Sequence, residues 1–422
     1  MYKILIRPLE ENDSEISWKW RNDEEVWKHT GSRPNILVTQ EIEREWINNV
    51  LNQKNSRRFA ITVDDKYVGN IQLTNITSEN AEYHIFIGDK DFWGKGIGFS
   101  ATQQIIRFAK NVLNLSQLYL FVKKENDNAF KLYQRCGFVQ VSEEIKMIID
   151  LNCMKQPMVS VFCMVYNHEK YIAECLEGIL MQKCIFNFEI VVGEDSSTDK
   201  SREILLEYQN RYPGNFKLLL HETNIGAARN QMEVLKNCNG KYIAMCEGDD
   251  YWIDPLKLQK QVDFLEKNND FSICFTDYVV YNESNIEYSY PNLIQRFKNK
   301  MVFTNRNIIL NNIIPTATAM FRVEKEVFSK LDLNLYPGDW FLHILNGEYG
   351  KIKFLPFESA VYRKHDGGVC SATSPLINNQ KYLKSIKIFR KVYSNNYKVQ
   401  FLFNIVVIKT RLQNIKFKLF GE

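Results

Sequence analysis

No run in the 422 residues approaches the roughly 20 apolar residues that a membrane-spanning helix needs. The opening Met1-Tyr2-Lys3-Ile4-Leu5-Ile6-Arg7 lacks the apolar core of a signal peptide. Nine cysteines are present, but no C-x-x-C pair and no close Cys/His cluster occurs among them. An odd number at irregular spacing argues against zinc and reads as buried thiols of a reducing compartment. Neither sign of charge dominates, and a net charge of +4 is too mild to argue for a nucleic-acid partner. There are no internal repeats and no low-complexity segments. The expected location is the cytoplasm.

What is present fits ordinary globular protein, with 45% hydrophobic and 25% charged residues, and the length allows two or three domains. In the first 150 residues, Lys3 to Arg7 reads as a strand and Ser17 to Val26 as a helix anchored by tryptophans. Thr39 starts a second helix. Phe59–Val63 and Tyr67–Leu73 form a hairpin across Asp64-Asp65-Lys66. The strand Ala81–Ile87 then leads into Trp93-Gly94-Lys95-Gly96-Ile97-Gly98 and a helix from about Phe99 to Val112. Strand, glycine-rich turn and helix together make an anion site, because glycines admit close approach and the free N–H groups of the helix start point at phosphate. A strand at Leu118–Val122 follows, and then a helix from Ala129.

With Trp93-Gly94-Lys95-Gly96-Ile97-Gly98 and Asn126-x-x-Ala129-Phe130-x-x-Tyr133-x-x-x-Gly137-Phe138 in that order, residues 1–152 resemble the GNAT acyl-CoA N-acyltransferases. The flavour is that of the ribosomal-protein and amino-sugar-nucleotide N-acetyltransferases. Trp93 stands where the broader family often has Arg or Gln. The resemblance implies acetyl-CoA as cofactor, bound by residues 93–98 and Asn126, with acetyl transfer to an amine. Tyr133 is the implied acid for the leaving thiolate; the other reading is a core tyrosine. Glu82 and His84 share one face of the strand before the cradle, and either could act as base, directly or through water.

Asn152 to Pro157 breaks the pattern and marks a domain boundary. Beyond it, strands alternate with helices, which implies a mostly parallel sheet covered on both faces, with ligands beyond the carboxyl ends of the strands. Tyr166, Asp195 and Asp249 all fall there. Cys246-Glu247-Gly248-Asp249-Asp250-Tyr251-Trp252 follows a buried strand at 240–245. Acidic groups at that position suit a divalent cation on a diphosphate.

Six ordered blocks in roughly 157–370 resemble the inverting GT-A glycosyltransferases of family 2. They are Val159-Ser160-Val161 with Tyr166-Asn167-His168-Glu169, Glu194 to Asp199, Asn224-x-Gly226-x-x-x-Arg229-Asn230, Glu247 to Trp252, Gly338-Asp339-Trp340, and Tyr362-Arg363-x-His365-x-Gly367-Gly368-Val369. The resemblance implies that Tyr166 and Asp195 hold the nucleobase, that Glu169 reaches the ribose, and that Arg229 serves base or diphosphate. Asp249 and Asp250 would hold Mn²⁺ or Mg²⁺. Glu247 replaces the more usual Asp and is left to the ribose or the surroundings of the metal. Asp339 is the implied catalytic base, or a helix N-cap, or both. His365 would contact diphosphate or metal, or support a glycine-rich turn. Thr316 and Thr318 line an acceptor pocket or belong to a strand.

Between Lys381 and Glu422 stand ten basic residues and a single acid, Glu422, interleaved with aromatic and aliphatic residues. This stretch reads as a basic helical tail, placed either on an anionic membrane surface or against the transferase domain. The expected chain is therefore α/β: a GNAT domain (1–152), a GT-A domain (157–375) and a basic amphipathic tail (376–422). The expected function is a bifunctional enzyme of surface-polysaccharide or O-antigen biosynthesis. It would N-acetylate an amino sugar and transfer a sugar from a UDP- or dTDP-linked donor to a glycan or lipid-linked glycan, peripheral to the inner membrane face. The alternatives are a protein or peptide N-acetyltransferase fused to a glycosyltransferase, or one domain serving as a non-catalytic binding module.

Overall fold

The computed structural model describes residues 2–28, 36–123, 125–141, 146–151, 157–368 and 374–420, with 418–420 described by backbone alone. The linker residues 152–156 and Val369 lie outside them. The chain divides into two compact units: Met1–Pro157 with Lys183–Glu189 and Leu205–Lys217, and Met158–Gln182 with Ile190–Ile204 and Leu218–Glu422.

The first unit is built on a seven-stranded sheet of β1 (Ile4–Pro8), β2 (Arg57–Val63), β3 (Lys66–Thr74), β4 (Asn80–Ile87), β5 (Gln117–Phe121), β6 (Val139–Gln140) and β7 (Lys146–Asp150), in the order β1-β2-β3-β4-β5-β7-β6. The β2–β3 turn places Asp64 and Asp65 at φ +47° and +66°, the left-handed backbone that Asp tolerates better than most residues. β4 and β5 are the parallel neighbours, paired only from Asn80–Glu82 to Gln117–Tyr119. Beyond Glu82, β4 therefore continues without a ladder to β5. The helix Ile97–Asn111 buries Ile97, Ala101, Ile105 and Ala109, one face at fourfold spacing, in the same core as Ile61, Val68 and Ile71 of the sheet.

The single helix expected over Ser17–Val26 is instead two, Ser14–Arg21 and Glu24–Trp27. The Asn22 side chain donates to Trp18 O (3.0 Å) and Val38 O (2.8 Å), and Asp23 accepts from Glu25 N (3.0 Å). These short polar side chains compete with the helical ladder and restart it.

The second unit is a ten-stranded sheet. Its strands are β8 (Val159–Val165), β9 (Phe188–Glu194), β10 (Phe216–Leu220), β11 (Tyr242–Met245), β12 (Tyr251–Trp252), β13 (Phe271–Asn282), β14 (Glu287–Ser289), β15 (Val302–Phe303), β16 (Met320–Arg322) and β17 (Lys351–Lys364). The path runs β10-β9-β8-β11-β16-β13-β17-β12, with β14 on β13 and β15 on β17. β8 and β11 are parallel, as the alternating pattern predicts. β13 and β17 are parallel as well, but the sheet is mixed: β16 is antiparallel to both β11 and β13, and β12 is antiparallel to β17. Tyr251 and Trp252 follow β11 after only a five-residue turn, too short for a crossover, so they lie on another strand of the sheet edge.

The helix Gly338–Asn346 is buried along almost its whole length, and its Trp340 and Phe341 pack against Phe389, Tyr393 and Phe403 of the C-terminal helices. The region read as a tail thus completes the core of the second unit through the helices Pro375–Phe389 and Tyr397–Phe420. Truncating a fully buried tryptophan such as Trp340 would cost about 3–5 kcal/mol.

Candidate active sites

In the first unit the glycine-rich turn opens the helix Ile97–Asn111. Gly94 and Gly96 sit at φ +70° and +79°, and a Cβ on either would meet nothing within 4 Å. Backbone conformation, and not crowding, requires glycine there. The first helical N–H groups lack intrahelical acceptors, and the open space beside Gly94 and Gly96 leaves them room for a phosphate. Trp93 is half-exposed, its indole donating to Ile87 O at 2.8 Å, and Lys95 extends over the rings of Tyr2 and Phe92. Asn126 caps the helix Asp127–Cys136, accepting from Ala129 N at 3.2 Å, which gives its side chain a structural task.

Glu82 and His84 come together as the alternation of β4 predicts, with Oε1 and Nε2 3.4 Å apart. His84 also meets Thr74 Oγ1 at 3.0 Å, and Asn75 donates to Glu82 at 2.8 Å. Burial holds the His84 pKa below its ordinary value, with Glu82 opposing and Arg58 assisting. A neutral imidazole at pH 7 is ready to take a proton. Tyr133 is buried against Tyr83 and Phe138, and burial pushes its phenol up, so it stays protonated. The core position and the protonated state needed by an acid are compatible.

In the second unit the acidic residues occupy the turn between β11 and β12. Gly248 N donates to Met164 O at 2.9 Å, so the turn lies on the end of β8. A Cβ on Gly248 would stand 2.8 Å from His168 Nδ1 and 2.9 Å from that carbonyl, so only glycine lets the turn approach this closely. Glu247, Asp249 and Asp250 each offer a carboxylate oxygen within 4.8 Å of the others. The three differ in their surroundings. Asp250 is almost fully buried and accepts from Arg363 N at 2.9 Å. Burial, with Asp249 and Glu247 beside it, raises its pKa well above the ordinary range. Burial and the charges of Asp249 and Asp339 likewise push Glu247 up to about 8. Burial alone would raise Asp249 too, but the hydrogen bond from His365 and the neighbouring His168 outweigh it, and its pKa is lowered. Burial, with like charge beside it, holds two of the three carboxylates towards the neutral form, and a bound cation would favour their charged form. Hard oxygen donors with a neighbouring imidazole fit Mg²⁺ or Mn²⁺.

The remaining sequence-derived residues divide. His365 joins the cluster, its Nε2 3.1 Å from Asp249 Oδ2. Asp339 adjoins it through the charge felt at Glu247. It is the second residue of the helix Gly338–Asn346, where Pro337 holds the cap position, so the N-cap reading of Asp339 is corrected. Its carboxylate accepts from Thr316 Oγ1 at 3.0 Å and Asn312 Nδ2 at 3.4 Å, which gives Thr316 a role. Thr318 is buried and donates to Pro315 O.

Tyr166 is half-exposed just past the end of β8. Asp195 is buried, and its carboxylate receives the N–H groups of Ile225 (2.7 Å) and Gly226 (3.0 Å), so it clamps the loop ahead of the helix Ala227–Asn237. Exposed Glu169 accepts from Lys200 N at 3.0 Å. Arg229 stands exposed on the first turn of that helix beside His221 and Lys236, and no hydrogen bond or ion pair joins it to the acidic turn among the described residues.

Three residues escaped the site derived from sequence. His168 lies 4.0 Å from Asp249 Oδ2. Tyr171 packs against His365 with the rings tilted by 50° and centroids 4.6 Å apart. Arg363 is sandwiched between Tyr171 and Tyr251 and ion-pairs with Glu174 at 2.5 Å. His168 belongs to the Tyr166-Asn167-His168-Glu169 block, and only the fold brings its ring to Asp249.

Comparison with known proteins bears on both domains. Residues 3–139 match the family described as an acetyltransferase (GNAT) domain, and residues 160–331 match glycosyl transferase family 2. The chain joins a GNAT acetyltransferase domain to a family 2 glycosyltransferase domain. GNAT domains take their acyl group from acetyl-CoA. A family 2 glycosyltransferase fold takes a nucleotide-sugar donor and a glycan acceptor, often with a metal.

An uncharacterized protein of Mycobacterium tuberculosis is 37% identical over 211 residues, 50% of this chain and 60% of that protein. The chain thus spans about three-fifths of the length of this relative. The glucosyltransferase WfgD of Escherichia coli is 33% identical over 133 residues, 32% of this chain and 50% of WfgD. Its full name is UDP-Glc:alpha-D-GlcNAc-diphosphoundecaprenol beta-1,3-glucosyltransferase. Spermidine N(1)-acetyltransferase of Escherichia coli is 27% identical over 139 residues, 32% of this chain and 73% of that enzyme.

Proposed function

We propose that this chain is a bifunctional enzyme of surface-polysaccharide or O-antigen biosynthesis, with a GNAT domain at 1–152, a glycosyltransferase domain at 157–375 and a C-terminal helical region at 376–422. The first domain N-acetylates an amino sugar, itself nucleotide-linked. The second transfers a sugar, with inversion, from a UDP- or dTDP-linked donor to a glycan carried on a lipid at the inner membrane face. The observation that carries the transfer reading is the partly buried Glu247–Asp249–Asp250 turn joined by His365, with Asp339 beside it. WfgD, by its name, acts on a diphosphoundecaprenol-linked acceptor, which supports a lipid-linked one here.

In the second domain Asp249, Asp250 and Glu247 would hold Mn²⁺ or Mg²⁺, with His365 and His168 alongside. The bound cation supplies positive charge to the departing diphosphate. Tyr166 packs on the base, Asp195 orders the loop beside it, and Glu169 and Arg229 serve ribose and diphosphate. Asp339, steadied by Thr316, takes the proton of the acceptor hydroxyl as that oxygen bonds to the anomeric carbon and the bond to the diphosphate breaks.

In the first domain, residues 93–98 and Asn126 bind acetyl-CoA. His84 or Glu82 takes a proton from the ammonium, and Tyr133 protonates the thiolate. The choice of a phosphate-bearing amine over a polyamine follows from Arg58. It is half-buried beside Trp46, which Arg21 also covers, and has no acidic partner among the described residues. Its charge reaches His84. A cation at this position attracts a phosphate and repels spermidine.

The test supplies acetyl-CoA with UDP- and dTDP-linked amino sugars and follows acetylated product by mass spectrometry. Acetylation of a nucleotide sugar is expected. Acetylation of peptide amines or spermidine alone would overturn the amino-sugar reading.

A further inference from the structure

We propose that the helix Tyr397–Phe420 is an in-plane anchor that docks the protein on an anionic lipid bilayer. This deepens the membrane part of the proposed function, on which it rests only for the biological setting. The helix is apolar on two opposite faces. One face carries Phe403, Val406 and Thr410, buried in the second unit. The other carries Tyr397, Phe401, Ile405, Ile408, Leu412 and Ile415, from 39% to 87% exposed. At about 100° per residue, the spacing from Phe401 to Ile415 aligns these side chains in one stripe about half a turn from the buried face.

Globular proteins do not leave a six-residue apolar stripe to water without use. Its flanks decide between occupants. Lys398, Lys409 and Lys416 border one side of the stripe and Arg411 the other, all exposed, and the helix contains no acid. Read as a coiled-coil seam, Phe401, Ile405, Ile408, Leu412 and Ile415 fill alternating core positions, and Lys409, Arg411, Lys416 and Lys418 stand beside that seam, with Leu402 and Asn404 the uncharged flanking residues. A second copy in either orientation would set Lys and Arg against Lys and Arg, which destabilises the pair. An apolar stripe rimmed by cations matches instead the boundary between acyl chains and anionic headgroups. Among the described residues no helix is long and apolar enough to cross a membrane, so the contact lies on the surface.

The test floats the full chain with vesicles of phosphatidylcholine alone, and with vesicles containing roughly a quarter phosphatidylglycerol. Binding is expected to the second only, and salt should release it. The triple variant Phe401→Ser, Ile408→Ser, Leu412→Ser should lower the bound fraction about tenfold or more with the unfolding temperature unchanged, since all three side chains face solvent. The charge variant Lys398→Glu, Arg411→Glu should release the protein with the stripe intact, and it decides the matter if the triple variant fails to fold. Three results would overturn the proposal: no flotation with anionic vesicles, flotation unaffected by both variants, or a dimer in light scattering that the triple variant dissociates while vesicles go unbound. Metal-dependent sugar-nucleotide hydrolysis by the same preparations tests the catalytic reading separately. A chain that binds vesicles but hydrolyses no donor upholds the anchor and defeats that reading; hydrolysis without vesicle binding does the opposite.

Discussion

His365 and Asp249 are 116 residues apart in the chain, and their side chains meet at 3.1 Å between Nε2 and Oδ2. The imidazole, wedged against Tyr171, fixes one carboxylate rotamer and leaves Asp249 the most acidic member of the cluster. Asp250 is turned the other way, onto the backbone N–H of Arg363. Adjacent aspartates are thus assigned different tasks by what faces them.

Asp249→Ala should leave thermal stability nearly unchanged and abolish metal-dependent nucleotide binding, read by calorimetric titration of UDP with and without Mn²⁺. Asp250→Ala should instead strip the Arg363 N–H of its acceptor and cost about 1–3 kcal/mol of stability. Equal effects on both quantities in the two variants would refute this division of labour.

Asp339→Asn keeps a hydrogen-bond acceptor for Thr316 but cannot take a proton. Sugar transfer should fall by about two to four orders of magnitude with donor affinity preserved. A drop in donor affinity at constant turnover would place Asp339 in binding and not in catalysis.

His343, one helical turn beyond Asp339, is fully buried, and neither ring nitrogen has a hydrogen-bond partner among the described residues. Burial lowers its pKa to about 4, with Asp339 opposing. The unfolded chain binds a proton near pH 6.5 that the fold refuses, so the contribution is present above about 6.5 and is lost as pH falls through about 4. His343→Leu should flatten that part of the stability–pH curve and raise stability by about 1–3 kcal/mol at pH 5, measured by urea denaturation.

In the first unit, Gly96→Ala must hold a side chain at φ +79°, at a cost of about 1–2 kcal/mol, with no clash to relieve. It should raise KM for acetyl-CoA. Gly96→Asn, which tolerates this backbone better, should recover part of the loss. A clash-driven collapse would show instead as equal damage from both.

His84→Gln and Glu82→Gln together identify the base. The variant of the true base should lower acetyl transfer about a hundredfold or more and remove the acidic limb of its pH profile. Tyr133→Phe should slow transfer while stability changes little, since its ring packing on Tyr83 and Phe138 is retained. Unchanged turnover would leave Tyr133 a core residue only.

Local chemistry alone determined much of this protein. Strand–glycine–helix at 81–112 and strand–acid turn at 242–252 were legible because backbone conformation, helix starts and strand periodicity are set by near neighbours. The resemblance to two transferase families rested on these stretches together with the further motif blocks around them. Contacts made across the chain were not legible. Only the tertiary structure turned Asp250 onto Arg363, brought His168 and Tyr171 to Asp249 and His365, gave Asp195 to the amides of Ile225 and Gly226, and reversed the sheet after β11. It also split the basic C-terminal region into a face that completes the core around Trp340 and a stripe that faces water. Composition records that these residues are apolar and basic. Which side of a helix each occupies, and what stands opposite, is fixed only when distant segments pack.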